Sequence, residues 1–217
     1  MSITASDVKN LREMTGAGML DCKKALEENG GNQEAAIEWL RKKGLSKAAK
    51  KADRSATEGL VQSYIHGEGR IGVLIEVNSE TDFVARNEDF KAFVSDICMH
   101  IAAIGPQYVK QDEIEASVIQ KEKDILKAKA LEEGKKPEFI EKILEGQIKK
   151  WAAEICLMDQ KFVKNQDITV EQHLTNTIAR IGENLVIRRF VRYELGEGLE
   201  KKVSNFAEEV AAAQLNS

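Results

Sequence analysis

At the start of the chain apolar positions recur with helical spacing and are interrupted by glycine. Thr4-Ala5-Ser6-Asp7 is a capping box: the Thr4 hydroxyl accepts from first-turn amides while Asp7 reaches back, and Ile3 and Val8 occupy the flanking staple positions. A helix therefore begins near Ala5, carries Val8 and Leu11 inward and stops at Thr15-Gly16-Ala17-Gly18. Met19–Glu28 reads as a second helix, ended by Asn29-Gly30-Gly31. Asn32 caps a third, whose apolar face holds Ala36, Ile37, Trp39 and Leu40 and whose predicted stop is Gly44. So small a bundle buries little surface, and a module of this size is expected to dock onto something else.

The period then shifts from helix to strand. Residues 60–66, the turn Gly67-Glu68-Gly69 and residues 70–78 predict a β-hairpin whose second arm, Ile-Gly-Val-Leu-Ile-Glu-Val, reads as a buried run. A third strand is predicted over 185–195, where Leu185, Ile187, Val191, Tyr193 and Leu195 alternate with mostly polar neighbours and Arg189 interrupts the apolar set. Helices fill the interval. One spans 89–103, before Gly105-Pro106. Ile114, Val118, Ile125 and Ala128, then Ile140, Leu144, Ile148, Trp151 and Ile155, predict a projecting helical hairpin across the break Gly134-Lys135-Lys136-Pro137. Thr169 to Gln172 is a second capping box, opening a helix with Val170, Leu174, Ile178 and Ile181 on one face and Gly182 at its end. A last helix is predicted over 205–214, carrying Phe206 and Val210.

The fold class is therefore α+β, with a three-stranded antiparallel sheet. Residues 1–54 form a three-helix domain and basic linker, 55–198 a core with the helical hairpin at 113–157, and 199–217 a C-terminal helical module. A chain of 217 residues accommodates such a core and a small accessory unit.

Composition narrows the function classes. A formal charge of -4 provides no global field for a phosphate backbone, so nucleic acid is not expected as the principal partner. Seven Lys or Arg lie in 41–54, but no aromatics interleave for bases to stack on, and a solvated helical tether is the preferred reading. No apolar run approaches the roughly 20 residues a membrane helix needs. Cys22, Cys98 and Cys156 are odd in number and widely spaced, which fits reduced thiols and a cytoplasmic location.

Catalytic chemistry finds little support. Gly67, Gly69 and Gly72 match a dinucleotide-binding glycine pattern in form, but a strand follows them where a helix is required, so they are read as turn residues. No phosphate-binding G-x-x-x-x-G-K-[ST] loop occurs. His66, His100 and His173 stand apart from any nucleophile pattern, and Cys98 and His100 point about 200° apart on a helix, too far for one metal. Neither a metal nor another cofactor is expected. Asn78-Ser79-Glu80-Thr81-Asp82-Phe83-Val84-Ala85-Arg86 does stand out, directly after the predicted second strand. Local propensity makes Thr81 or Asp82 a helix N-cap and Phe83 a core residue. The functional alternative is an exposed aromatic wedge beside a carboxylate, suited to insertion into a partner.

The chain resembles the elongation factor Ts family. The similarity is carried by Thr15-Gly16-Ala17-Gly18-Met19-Leu20-Asp21-Cys22-Lys23-Lys24-Ala25-Leu26, by Glu76-Val77-Asn78 leading into Thr81-Asp82-Phe83-Val84-Ala85, by Ile181-Gly182-Glu183-Asn184 and by Gly196-Glu197-Gly198. The resemblance implies a ubiquitin-associated-like N-terminal domain and a non-enzymatic guanine nucleotide exchange factor acting on elongation factor Tu. It implies that Thr81, Asp82, Phe83 and Val84 enter the partner's nucleotide-binding domain, where Phe83 wedges between helices and the Mg²⁺ site is disrupted. Arg12, Met19 and Leu20 would dock the N-terminal domain on the same partner domain, and Ile181 and Gly182 match a further contact region. His100, within Met99-His100-Ile101-Ala102-Ala103, matches a region that touches another partner domain. Ser79 stands where many relatives carry Cys. Longer members have two related core subdomains and this chain shows one, so a homodimer supplying the second set of contacts is the hypothesis. The rival from another class is an adaptor that tethers a partner without altering it.

Overall fold

The computed structural model describes residues 3–199, apart from the side chains at 137 and 138. The helix expected over 205–214 lies outside them. In chain order the elements are α1 (Ala5–Thr15), α2 (Met19–Glu28), α3 (Gln33–Ala49), β1 (Glu58–His66), β2 (Ile71–Ser79), α4 (Asp82–Ala85), α5 (Glu88–Ile104), α6 (Ala116–Glu132), α7 (Pro137–Ile155), β3 (Lys161–Phe162), β4 (Asn165–Thr169), α8 (Val170–Ile181) and β5 (Leu185–Glu194).

The N-terminal bundle closes over Leu11, Cys22, Ala25, Leu26 and Ala36, all fully buried. The Thr4 capping box is present in both directions, and Gly16 ends α1 in the left-handed conformation at φ 66. α3 departs from expectation by running through Gly44 to Ala49. A Cβ at Gly44 would already lie 3.8 Å from Ala179 Cβ, so this glycine admits close packing of α3 on α8 and does not end the helix. Most of the basic segment is thus helical. Its Lys43 and Lys47 pair with Asp21 at 2.8 and 2.7 Å, tying α3 to α2.

The sheet is antiparallel in the order β1-β2-β5. Gly67, Glu68 and Gly69 form the β1–β2 turn with three successive positive φ values of 59, 56 and 89. β2 is not buried on both faces: Val73, Ile75 and Val77 point into the core while Leu74 is half-exposed. The predicted alternation of β5 fails for a definite reason. Glu76 pairs with Arg189 but Val77 pairs with Ile187, so Arg188 is an extra residue and a β-bulge. The bulge inverts the facing of the rest of the strand. Leu185 and Ile187 are buried and Phe190 packs against the core, whereas Val191, Tyr193 and Leu195 are exposed. It also brings Arg188 and Arg189 onto one carboxylate, at 2.6 and 2.7 Å from Glu76, whose pKa is held down at about 2.

Behind the sheet α5 and α8 form the second layer. Phe90, Phe93, Val94, Ile97 and Ile101 of α5 and Val170, Leu174 and Ile178 of α8 complete the core with the inward residues of β2 and β5. α6 and α7 pair as the helical hairpin, rooted on Ile114, Ala152 and Cys156. Along α6 the seam runs through Val118, Ile119 and Ala130, while Ile125, expected in it, is exposed. β3 and β4, a short ribbon before α8, were too brief for alternation to reveal.

Two histidines are built into this core. His100 is fully buried: Val163 N–H donates to its Nδ1 at 3.2 Å, which leaves the proton on Nε2 to donate to Gln160 Oε1 at 2.9 Å. His173 stacks on Phe162 with centroids 4.3 Å apart, near Phe93, and its Nε2 has no hydrogen-bond partner among the described residues. Asp96 lies 3.9 Å from that nitrogen but is engaged by Lys164 at 2.6 Å. Burial pushes both histidines below the ordinary 6.5. The unfolded chain therefore binds these protons first, so their contribution to stability is complete above pH 6.5 and is lost as pH falls toward the lowered folded values. The thermal midpoint should drop between about pH 7.5 and about pH 5.5, and less in His173→Phe, which keeps the aromatic stack and removes one titrating group. Thermal denaturation at the two pH values measures it, and equal drops would show that His173 is not a source of the dependence.

Candidate functional site

The end of β2 delivers a tip in which local and long-range bonds act together. Thr81 takes extended backbone angles of φ -128 and ψ 155 and caps the single turn α4, its hydroxyl accepting from Val84 N–H at 3.4 Å. The same threonine is gripped from behind. Its N–H donates to Glu183 Oε2 at 3.0 Å and its hydroxyl to Glu183 Oε1 at 2.7 Å. Glu80, the residue before, accepts Asn184 N–H at 2.6 Å. Ser79 is fully buried and donates its hydroxyl to the Thr81 carbonyl at 2.9 Å.

From this base Phe83 projects into solvent, 79% exposed, while Val84 packs against the core beside it. The two readings of the segment are thus resolved in part each way: Thr81 is a helix cap, and Phe83 is not a core residue. Leaving a phenylalanine out of the core forgoes about 2 kcal/mol of burial, and an exposed aromatic on an ordered support has the character of a binding anchor. Asp82 lies next to it on the surface, paired with Arg86 at 2.8 Å.

A second exposed set lies at the end of the bundle where α1 gives way to α2. Arg12 is exposed there, as are Met19 and, at 83%, Leu20. Met14, 63% exposed, lies along the cleft between the bundle and α8, lined also by Leu40, Gly44 and Ala179. Arg12 lines a recess with Lys9, Glu13, Gly16, Asp89 and Arg180. Arg180 pairs with Asp89 of α5 at 3.7 Å and lies one residue before Ile181. Ile181 is half-buried and Gly182, at φ 93, ends α8 exposed, immediately before the Glu183 that holds Thr81. The bundle end, the α8 terminus and the tip are therefore neighbours in a continuous path.

His100 does not join them. Its ring is enclosed with both nitrogens bonded, so the surface contact expected of it has no exposed atom to make it. Among the described residues no three His, Cys, Asp or Glu stand close enough to hold a metal ion, and no helix is long and apolar enough to cross a membrane. Cys98 and Cys156 are buried thiols pushed up to about 11, unsuited to nucleophilic use.

The fold and these surfaces define a class of protein: an α+β core that presents an aromatic tip and an apolar helical patch outward. The elongation factor Ts family profile matches residues 6–197, and the chain belongs to that family. It is 64% identical over 211 residues to elongation factor Ts of Alkaliphilus metalliredigens, covering 97% of this chain and 98% of that one. To elongation factor Ts of Geobacter metallireducens it is 63% identical over 213 residues, covering 98% and 99%. The family assigns the chain to translation elongation. Both relatives are matched over nearly their whole length, so a core of this size is common to all three.

Proposed function

We propose that this chain is a guanine nucleotide exchange factor for elongation factor Tu, working without covalent chemistry. The observation that carries this reading is the exposed Phe83, with Asp82 at its side, on a turn fixed by bonds to Glu183 and Asn184. In a GTPase, GDP is retained by Mg²⁺ and by a cradle of backbone amides and a lysine around its phosphates. A rigid aromatic driven between the elements that hold that cradle, with a carboxylate beside the cation site, favours a conformation in which nucleotide and metal are poorly held. The factor and the nucleotide then weaken one another's binding by the same ratio, so GDP leaves and GTP, on entering, expels the factor. Arg12, Met19 and Leu20 supply a second docking surface, and Ile181 and Gly182 a third contact between the two.

The test is release of a fluorescent GDP analogue from purified elongation factor Tu, chased with unlabelled GDP. Addition of this chain should accelerate release strongly. Binding without acceleration would establish the adaptor reading in its place.

The outer face of the sheet supports pairing of two copies. Val61, Ile65, Leu74, Val191 and Tyr193 form an apolar surface there, exposed by 47 to 73%. A sheet face of this kind is commonly covered by another sheet, and a self-complementary patch generates a two-fold dimer. Sedimentation equilibrium should report a dimer for the wild type and a monomer for Tyr193→Glu, which adds a charge at the most exposed of these positions. A monomeric wild type at micromolar concentration would remove the dimer.

A further inference from the structure

We infer that Glu183 is a positioning residue for the exchange tip, acting through Thr81 to fix the direction in which Phe83 projects; this rests on the exchange function proposed above. The geometry is specific. One carboxylate receives both polar hydrogens of Thr81, N–H at 3.0 Å and O–H at 2.7 Å, from a residue 102 positions away in sequence. Receiving the O–H has a second effect. With its hydrogen committed to Glu183, the Thr81 oxygen turns a lone pair toward Val84 N–H, which it accepts at 3.4 Å. The orientation of α4, a single turn with no fully buried residue of its own, is thereby set from the α8–β5 connection.

The surroundings leave Glu183 little alternative task. Among the described residues it has no lysine, arginine or histidine ion-pair partner, whereas its neighbour Glu80 accepts Asn184 N–H at 2.6 Å and lies 3.5 Å from Arg54. Asn184, buried, donates its side-chain amide to the carbonyls of Arg54 at 2.8 Å and Ala52 at 3.4 Å. The turn that carries Glu183 is thus anchored to the segment descending from the N-terminal bundle, and it transmits a fixed position to the tip. Ser79 braces the opposite side through the Thr81 carbonyl. A wedge that must enter a partner gains from such support, since disorder in the free tip is a cost repaid at each insertion.

The experiment is GDP-analogue release measured as a saturation curve in the full chain, for wild type, Glu183→Ala, Glu183→Gln, Thr81→Val and the Thr81→Val/Glu183→Ala double variant, with Phe83→Ala as reference. Loss of two charge-assisted bonds at the tip should lower the maximal release rate of Glu183→Ala about tenfold or more, with Glu183→Gln intermediate because it keeps one acceptor. The half-saturating concentration should stay within about threefold, since the N-terminal docking surface is untouched. In the Thr81→Val background the Glu183→Ala effect should shrink to about threefold, one of the two bonds being already gone. Hydrogen exchange gives a readout independent of the partner: the Val84 and Thr81 amides should lose protection in Glu183→Ala while amides of α5 keep theirs. If wild type accelerates release, Phe83→Ala does not, and the Glu183 variants match wild type, the positioning role is overturned and the exchange function stands. If wild type is inert, the exchange function fails and this role fails with it. Equal loss of protection throughout α5 would show Glu183 to serve the stability of the whole core and would also overturn the inference.

Discussion

Phe83→Ala should reduce the acceleration of GDP release by roughly 30-fold or more, taking about 2 kcal/mol or more for truncation of a central aromatic anchor and about 1.4 kcal/mol per factor of ten. Its effect on stability should be small, within about 0.5 kcal/mol, because the ring is 79% exposed and leaves no cavity when removed. That combination separates a wedge from a structural residue: release kinetics change while the thermal midpoint does not. Asp82→Ala, also at the surface and held by an exposed pair with Arg86, should lower acceleration with similarly little effect on folding. Full activity in both variants would move the site elsewhere on the molecule, with the Met19 and Leu20 patch the next to examine.

The largest loss of stability is expected from Gly59→Ala. Gly59 lies in β1 opposite Asn78 at φ 127, a backbone conformation that side chains rarely adopt. A Cβ there would lie 2.1 Å from the Val77 carbonyl oxygen and 2.7 Å from Asn78 Cα. Neither atom can yield without breaking the β1–β2 ladder just before the tip. Backbone strain and overpacking together should cost about 4 kcal/mol. For a chain of this length that lowers the thermal midpoint by roughly ten degrees. Gly69→Ala, at φ 89 but with open space around its Cβ position, should cost much less, and comparable losses at the two sites would refute the steric argument.

Sequence reasoning was most successful where one segment contains its own determinants. The Thr4 and Thr169 capping boxes, the Gly67-Glu68-Gly69 turn and the three-stranded antiparallel sheet are decided by residues a few positions apart or by alternation along a strand. It failed where a distant neighbour decides. Gly44 looks like a helix stop until α8 is seen packed against it. The facing of β5 depends on an extra residue, Arg188, whose presence is defined only by pairing with β2, and Arg189 as the interruption in the apolar set was its one visible trace. Within the site, the segment 81–84 was legible as unusual, but propensity favoured a buried Phe83, because nothing near it in sequence says which side of the turn faces solvent. Glu183 was equally silent. A glutamate after a helix-ending glycine is ordinary until its carboxylate is found on Thr81.

The unbroken passage of α3 through Gly44 has a mechanical consequence. Because that helix is seated on α8, the bundle and the tip are the two jaws of a caliper whose opening is set before any encounter. A single residue inserted in α3 between Leu40 and Gly44 would turn the bundle by about 100° against that seat and advance it by about 1.5 Å, swinging Met19 and Leu20 away while the tip stayed where it was. Each jaw would keep its shape, and the gauge would no longer fit the object it measures.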